Sequence, residues 1–265
     1  MSEAITNMDA ASKRPFGLGW RPDLPDFRDH RFSALLATLQ ILPPKVDLRA
    51  QCPPVVHQGQ IGSCTGCAVA SAHLFDQMKQ TAAHPFQPSR LFIYYNERSM
   101  ENTVSVDAGA YIRDGLKSIA KQGVCPETTW PYIESKFAAR PPKTCYEDAL
   151  FHQAIEYSRI DQNLNQQRGC IAGGYPFVFG FTVYDSFMSD AVEATGIVPL
   201  PSQGESSPGG HAVMAVGYDD AAQRFIVQNS WGVDWGDKGY FYMPYSYLID
   251  TDLAADFWCV RVVEV

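Results

Sequence analysis

The sequence predicts an α+β protein with a helical first lobe and an antiparallel, β-rich second lobe, and three observations predict it. Apolar residues recur at helical spacing in two stretches of the first half. The second half changes to short runs of β-branched and aromatic residues separated by Gly, Asp and Ser. The chain has 265 residues, 46% of them hydrophobic, enough for one large core or two smaller ones, and this excludes a disordered or collagen-like chain. Helices followed by strands segregate into lobes, and a cleft falls naturally between them.

In chain order, residues 1–42 form an N-terminal arm. Lys13-Arg14-Pro15, Arg21-Pro22-Asp23-Leu24-Pro25-Asp26 and Phe27-Arg28-Asp29-His30 mix prolines with charges, so an extended segment is expected, with a short helix at Ala34 to Leu42. Pro43-Pro44 opens the body, residues 43–265, with the helical lobe to about 145 and the β-rich lobe from about 146. After Cys64, the positions of Val69, Ala72, Phe75 and Met78 give one helix, ended by Thr81 to Pro85. A second helix fits Gly109 to Lys121, closed by Gly123, and the rest of this half up to about Pro142 reads as loop. Strands are expected at Phe177–Val183, His211–Tyr218, Phe225–Asn229, Gly239–Met243 and Phe257–Val263, with a hairpin loop at Gly217 to Gln223.

The formal charge of −8, with no Lys/Arg cluster, argues against nucleic acid as a partner. The longest apolar stretch, Tyr175 to Tyr184, is broken by Pro176 and Gly180 and is far short of a bilayer span, so no membrane partner is expected. Met1 to Asp9 has neither a basic start nor an apolar core, and export by the ordinary secretory route is not expected if Met1 begins the precursor.

Seven cysteines cannot all pair, so at least one thiol stays free. Cys64 stands where Gly59-Gln60-Ile61-Gly62-Ser63 leads into the first helix. A thiol there faces unpaired backbone N–H groups and the positive end of the helix dipole, which favours thiolate. Of the six histidines, His211 is the partner expected, because it opens a strand after the loop ending Gly209-Gly210. Asn229, brought close by the hairpin, can fix its tautomer. The rival reading of Cys64-Thr65-Gly66-Cys67 is a C-x-x-C redox motif, which would need a βαβ start and neither the upstream Gln nor the distant His and Asn. No second close pair of Cys or His supplies a zinc site, so neither a metal nor an organic cofactor is implied.

Gln58 six residues before Cys64, His211 147 residues after it, and Asn229-Ser230-Trp231-Gly232 followed by Trp235-Gly236-Asp237-Lys238-Gly239-Tyr240 resemble the papain-type cysteine peptidases over about Pro43 to the C-terminus. The short arm suggests the bacterial branch. The resemblance implies the papain-like two-lobed fold and a peptidase acting on polypeptide substrates. Cys64 would be the nucleophile, His211 the acid and base, Asn229 its orienting partner and Gln58 an oxyanion donor, with Trp231 shielding the His–Asn bond. It further implies substrate contacts at Gly109, Ala110 and Tyr111, and a roomy second subsite at Gly180, Gly209 and Gly210.

The chain also departs from the family. Thr65 replaces the usual Trp after the nucleophile, which keeps open a peptide-binding member without efficient catalysis. Ile61 replaces a half-cystine, so one family disulfide is absent. The arm is far shorter than the helical pro-domain of plant and lysosomal members, and it is expected to lie across the cleft as an intramolecular inhibitor. Cys67 reads as a buried small residue or a regulatory partner of Cys64, and Cys125 and Cys145 as a disulfide or two thiols. His57 neighbours Gln58 and can line the cleft. His30, His73, His84 and His152 read as surface or helix residues, and the aromatics of 240–247 as core.

Overall fold

A computed structural model describes residues 16–32 and 42–264. The helix expected at Ala34 to Leu42 lies outside the described residues apart from Leu42. The first helix, α1 (Cys64–Lys79), is buried on nearly all sides, as a central helix clasped between layers must be. Val69, Ala72 and Phe75 are core residues as expected, whereas Met78 reaches the surface. α2 (Arg90–Met100) and α3 (Ile112–Gln122) pack against it. α3 buries Ile112, Leu116 and Ile119 and stops at Gly123, whose φ of 72° favours glycine. It starts at Ile112 rather than Gly109, which frees the backbone of Gly109 and Ala110 for pairing.

The loop reading of the segment up to about Pro142 needs correction at α2, and a short helix, α4 (Lys143–Ala149), begins just past it. α2 is capped by Ser89, whose hydroxyl accepts the Phe92 N–H at 3.1 Å. Its buried face carries Arg90, Asn96, Glu97 and Arg98 between apolar residues, so the polar partners of these side chains, invisible in sequence, hide the helical period.

The second lobe is a seven-stranded antiparallel sheet of β1 (Lys45–Asp47), β2 (Ala154–Arg159), β3 (Phe177–Val183), β4 (Gly209–Asp219), β5 (Arg224–Gln228), β6 (Tyr240–Pro244) and β7 (Ala254–Val263), ordered β2-β7-β3-β4-β5-β6, with β1 on the far end of β4. The five expected strands are present, β3 with the expected bounds and the other four with shifted ends. β1 and β2 are additions, and β1 joins the sheet although it precedes α1. Stacked, tilted and edge-on rings of Phe177, Phe179, Phe181 and Phe257 fill the sheet core. α5 (Leu164–Ala172), α6 (Asp190–Thr195) and α7 (Tyr245–Ile249) complete the described helices. β3 pairs with β4 from its first residue, Gly209, and β5 joins from Met214, so His211 is held by the β3 side of the ladder, in a strand that packs against α1.

Candidate active site

The nucleophile candidate, Cys64, is the first residue of α1 and has no exposed surface. The loop before it is clamped from three sides. Gln60 N–H donates to Glu134 Oε2 at 2.8 Å and Gly62 N–H to Asp107 at 3.0 Å, while the Ser63 hydroxyl lies 2.5 Å from the Tyr132 hydroxyl. Ser63 therefore does not cap the helix, which leaves N–H groups of the first turn free of side-chain caps. Gln58 is fixed as well: its Oε1 accepts the Ser230 hydroxyl at 2.6 Å, which aims its Nε2 into the cleft.

Across the cleft, His211 lies opposite Phe181 in the β3–β4 ladder, one residue before Ala212. Its Nε2 is 2.8 Å from Asn229 Oδ1. That atom also accepts the backbone N–H of Ser230 at 2.8 Å, so it is the amide oxygen and the imidazole proton sits on Nε2. Nδ1 is buried, carries the lone pair and has no hydrogen-bond partner. The Trp231 ring stacks on His211 with centroids 4.7 Å apart and covers the His–Asn pair.

The arm fills the groove between these groups. Its residue order is Phe16 stacked on Trp231 at 4.5 Å, Gly17 with its carbonyl accepting Gln58 Nε2 at 3.0 Å, Gly19 at the Cys64 sulfur, and Trp20 in a pocket walled by Gly180 and Gly210. Backbone bonds hold it on both walls: Ala110 N–H to Gly19 O at 2.7 Å, Arg21 N–H to Ala110 O at 3.1 Å and Trp20 N–H to Gly210 O at 3.1 Å. Gly17 and Gly19 are required by proximity, since a Cβ there would lie 2.0 Å from Ile61 O and 1.9 Å from Gly62 O. Trp20 Nε1 donates to Asp256 Oδ2 at 3.1 Å, and Asp23 N–H to the same oxygen at 2.7 Å.

Burial sets the electrostatics. It pushes the Cys64 thiol up to about 12, against hydrogen bonds from the Ala212 and Gly19 backbones, and draws His211 down to about 4, against its bond to Asn229. With the arm in place the pair is thiol and neutral imidazole, the reverse of the charge state that a helix start and a nearby histidine favour. Burial outweighs the backbone hydrogen bonds to the sulfur here. Among the described residues, no group of three or more His, Cys, Asp or Glu side chains is arranged to hold a metal ion.

The sequence profile described as papain family cysteine protease matches residues 42–254. The chain belongs to the papain family. An uncharacterized peptidase C1-like protein, L477, of Acanthamoeba polyphaga mimivirus is 47% identical over 216 residues, 78% of this chain and 70% of that protein. Cathepsin B-like CP3 of Giardia intestinalis is 30% identical over 207 residues, 71% of this chain and 63% of the Giardia protein. Xylellain, a cysteine protease from Xylella fastidiosa, has a similar structure with a TM-score of 0.89 at 43% identity, covering 94% of this chain and 97% of that one. A digestive procathepsin L 3 of Tenebrio molitor larval midgut shares the fold at 18% identity, with a TM-score of 0.71 over 94% of this chain and 77% of that one. This papain-family chain is a cysteine peptidase, and the redox reading of Cys64-Thr65-Gly66-Cys67 is set aside. Its seven cysteines are all free, including Cys125 and Cys145.

Of the site residues expected from sequence, Gln58, Cys64, Gly109, Ala110, Tyr111, Gly180, Gly210 and Trp231 lie against the arm, whereas His211 and Asn229 sit behind the Trp231 ring and a Cβ on Gly209 would reach only the Leu18 side chain. His57 is exposed beside Phe16, 6.0 Å between ring centroids, at the mouth. His73 is a fully buried helix residue, bonded to Gln77. Sequence reasoning passes over Phe16, Trp20, Ser230 and Asp256. The spaced glycines of Gly17-Leu18-Gly19-Trp20 are the signal that could have marked close backbone contact. Asp256 carries none, because it becomes a pocket floor only when β7 joins the sheet.

Proposed function

We propose that Cys64 attacks the carbonyl carbon of a peptide bond, with His211, Asn229 and Gln58 in the roles their positions suggest, and that the arm holds the site closed. The observation that carries the catalytic reading is the unpartnered Nδ1 of His211, its other nitrogen fixed by Asn229, at the strand end whose Ala212 N–H reaches the Cys64 sulfur. Once water or substrate replaces the arm, the proton moves from sulfur to Nδ1 and the thiolate is free to attack. The oxyanion that forms accepts the Gln58 amide N–H and the Cys64 backbone N–H, donors worth about 2.7–4 kcal/mol each in such sites. His211 then protonates the leaving amine as the C–N bond breaks, leaving a thioester. It next takes a proton from water, whose oxygen attacks the thioester, and the acid departs with Cys64 restored. Trp231 keeps bulk water off the His–Asn bond. Substrates are polypeptides lying along the Ala110 and Gly210 backbones, as the arm does.

The arm occupies the groove without offering itself for cleavage. Gln58 holds the carbonyl of Gly17, whereas the sulfur faces the N–H of Gly19, so the two groups that would flank a scissile carbonyl engage different residues of the arm. Intact Gln58, Cys64, His211 and Asn229 disfavour a binding-only protein. The test is peptide turnover by the wild-type chain and by Cys64→Ser, with the modified cysteine mapped after reaction with an epoxysuccinyl thiol-protease inhibitor. Loss of turnover and label at Cys64 are expected; unchanged turnover by the variant would overturn the assignment. A chain starting near Pro43 that cleaved peptides no faster than the full chain would remove the inhibitory role.

A further inference from the structure

The slot that holds Arg21 of the arm has the composition of a cation site. The guanidinium lies over the Tyr111 ring, 4.4 Å from its centroid, and pairs with the carboxylate of Glu101, whose side chain is 5% exposed. Glu101 is aimed by the backbone: Tyr111 N–H donates to its Oε1 at 3.0 Å, leaving Oε2 for the cation. Two more carboxyls, Glu97 and Asp114, are pushed up by burial and drawn back in part by Arg21.

Of the neighbouring cations, Arg98 donates to the carbonyls of Tyr94, Val104, Val106 and Phe137, whereas Arg113 pairs with Asp29 and Lys117 lies beside Asp26, both carboxylates of the arm itself. Among the described residues Glu101 is ion-paired with Arg21 and with neither Arg113 nor Lys117, so when the arm leaves it loses that cation and faces the Tyr111 ring. The slot borders Ala110, whose backbone bonds the arm on both sides of Trp20, and it opens toward the helical lobe while the Trp20 pocket opens toward the sheet. A peptide extended along the same edge would place adjacent side chains in the two.

We propose that the Glu101–Tyr111 slot is a substrate subsite that selects a basic side chain in the peptide that replaces the arm, arginine above lysine. A planar guanidinium can stack on Tyr111 and bond Glu101 at once, which a compact ammonium does less well. This deepens the peptidase reading and rests on it. Arg21 would then be the arm's imitation of a substrate side chain.

The test measures kcat/KM of the full-length chain on peptides with arginine at each of the four residues on the amino side of the cleaved bond, against the same peptides with glutamine or lysine there. A ratio measured on one variant cancels the fraction of molecules whose arm is open. Arginine is expected to be preferred by roughly tenfold or more at one position, the scale of a hydrogen bond to a charged group. Glu101→Gln keeps the oxygen that accepts Tyr111 N–H and removes the charge, and it should bring the ratio to within about twofold of unity, the size that loss of such a bond predicts. Tyr111→Leu should reduce the ratio in part. Equal rates for arginine and glutamine peptides, or a preference that survives Glu101→Gln, overturn the slot. Failure of the underlying reading looks different: cleavage that persists in Cys64→Ala, or cleavage of no peptide by the wild-type and Arg21→Ala chains, removes the peptidase reading and the slot with it.

Discussion

The carbonyl oxygen of Gly17 accepts the side-chain N–H of Gln58 at 3.0 Å, so the donor that should stabilise an oxyanion is already engaged by the chain's own arm. Gln58→Ala removes both functions. Its kcat is expected to fall about 100- to 1000-fold, the usual cost of one oxyanion donor. The amide hydrogens of residues 17–20 should exchange faster in the same variant, because the arm loses a buried bond. Unaltered kcat would show that Gln58 serves the arm alone.

Trp20 is the arm's largest buried contact. Trp20→Ala empties the pocket and deletes the bond to Asp256, a change that costs about 3–5 kcal/mol in a packed core. Gly180→Ala attacks the contact from the other side, since its Cβ would lie 1.9 Å from the indole. Both variants should turn over a small peptide at least tenfold faster than wild type, a modest part of that cost. If both match the wild-type rate, the arm does not gate access.

Cys64 reactivity should report the same opening. In the closed chain the thiol lies near 12 and His211 near 4, both through burial, so iodoacetamide should label Cys64 slowly at pH 7. Water admitted by Trp20→Ala lowers the first and raises the second, and labelling at pH 7 should accelerate. Equal labelling rates in the two chains would contradict this.

Stability should fall as pH rises from 6.5 to 8. Burial raises Asp76 and Glu97 to about 8, and burial and Asp256 raise Asp23 to about 7. Below the ordinary carboxylate range their contribution is complete. Above it the unfolded chain releases protons that the fold keeps, so stability is lost as pH rises toward those values. His73 and His211, drawn down to about 4 by burial, act oppositely between 4 and 6.5 and offset much of the loss there. Between 6.5 and 8 the carboxyls act unopposed. Thermal unfolding midpoints should therefore drop across that interval, and Asp76→Asn with Glu97→Gln should flatten the drop; a rising midpoint would be inconsistent with these protonation states.

Thr65, the residue that departs from its family's usual Trp, donates its hydroxyl to buried Glu97 at 2.7 Å, and Gly115 leaves room for the other carboxyl oxygen. Thr65→Val strands that carboxyl, at a cost of about 1–3 kcal/mol, and the unfolding midpoint should fall by several degrees. A midpoint within a degree of wild type would mean that Glu97 finds another partner.

The five expected strands and α1 were legible because alternation and helical spacing are local properties of Phe177–Val183 or Val69–Phe75. α2 was not, because Asn96, Glu97 and Arg98 are polar residues on its buried face, satisfied by Tyr146, Thr65 and loop carbonyls that the chain brings from elsewhere. β1 is three residues long and becomes a strand only by pairing with Asp219, Tyr218 and Gly217.

The sequence by itself determined the candidates for the chemistry and the order in which they come, because a glycine-rich helix start at Cys64 and strand ends at His211 and Asn229 are written in short motifs. Only the tertiary structure decided the state of that site. Phe16 to Arg21 reach Gln58, Glu101, Ala110, Gly210 and Asp256, residues that lie from about forty to well over two hundred positions away in the chain. Burial, and with it the neutral thiol and imidazole, is the sum of those distant contacts, and no local pattern encodes it.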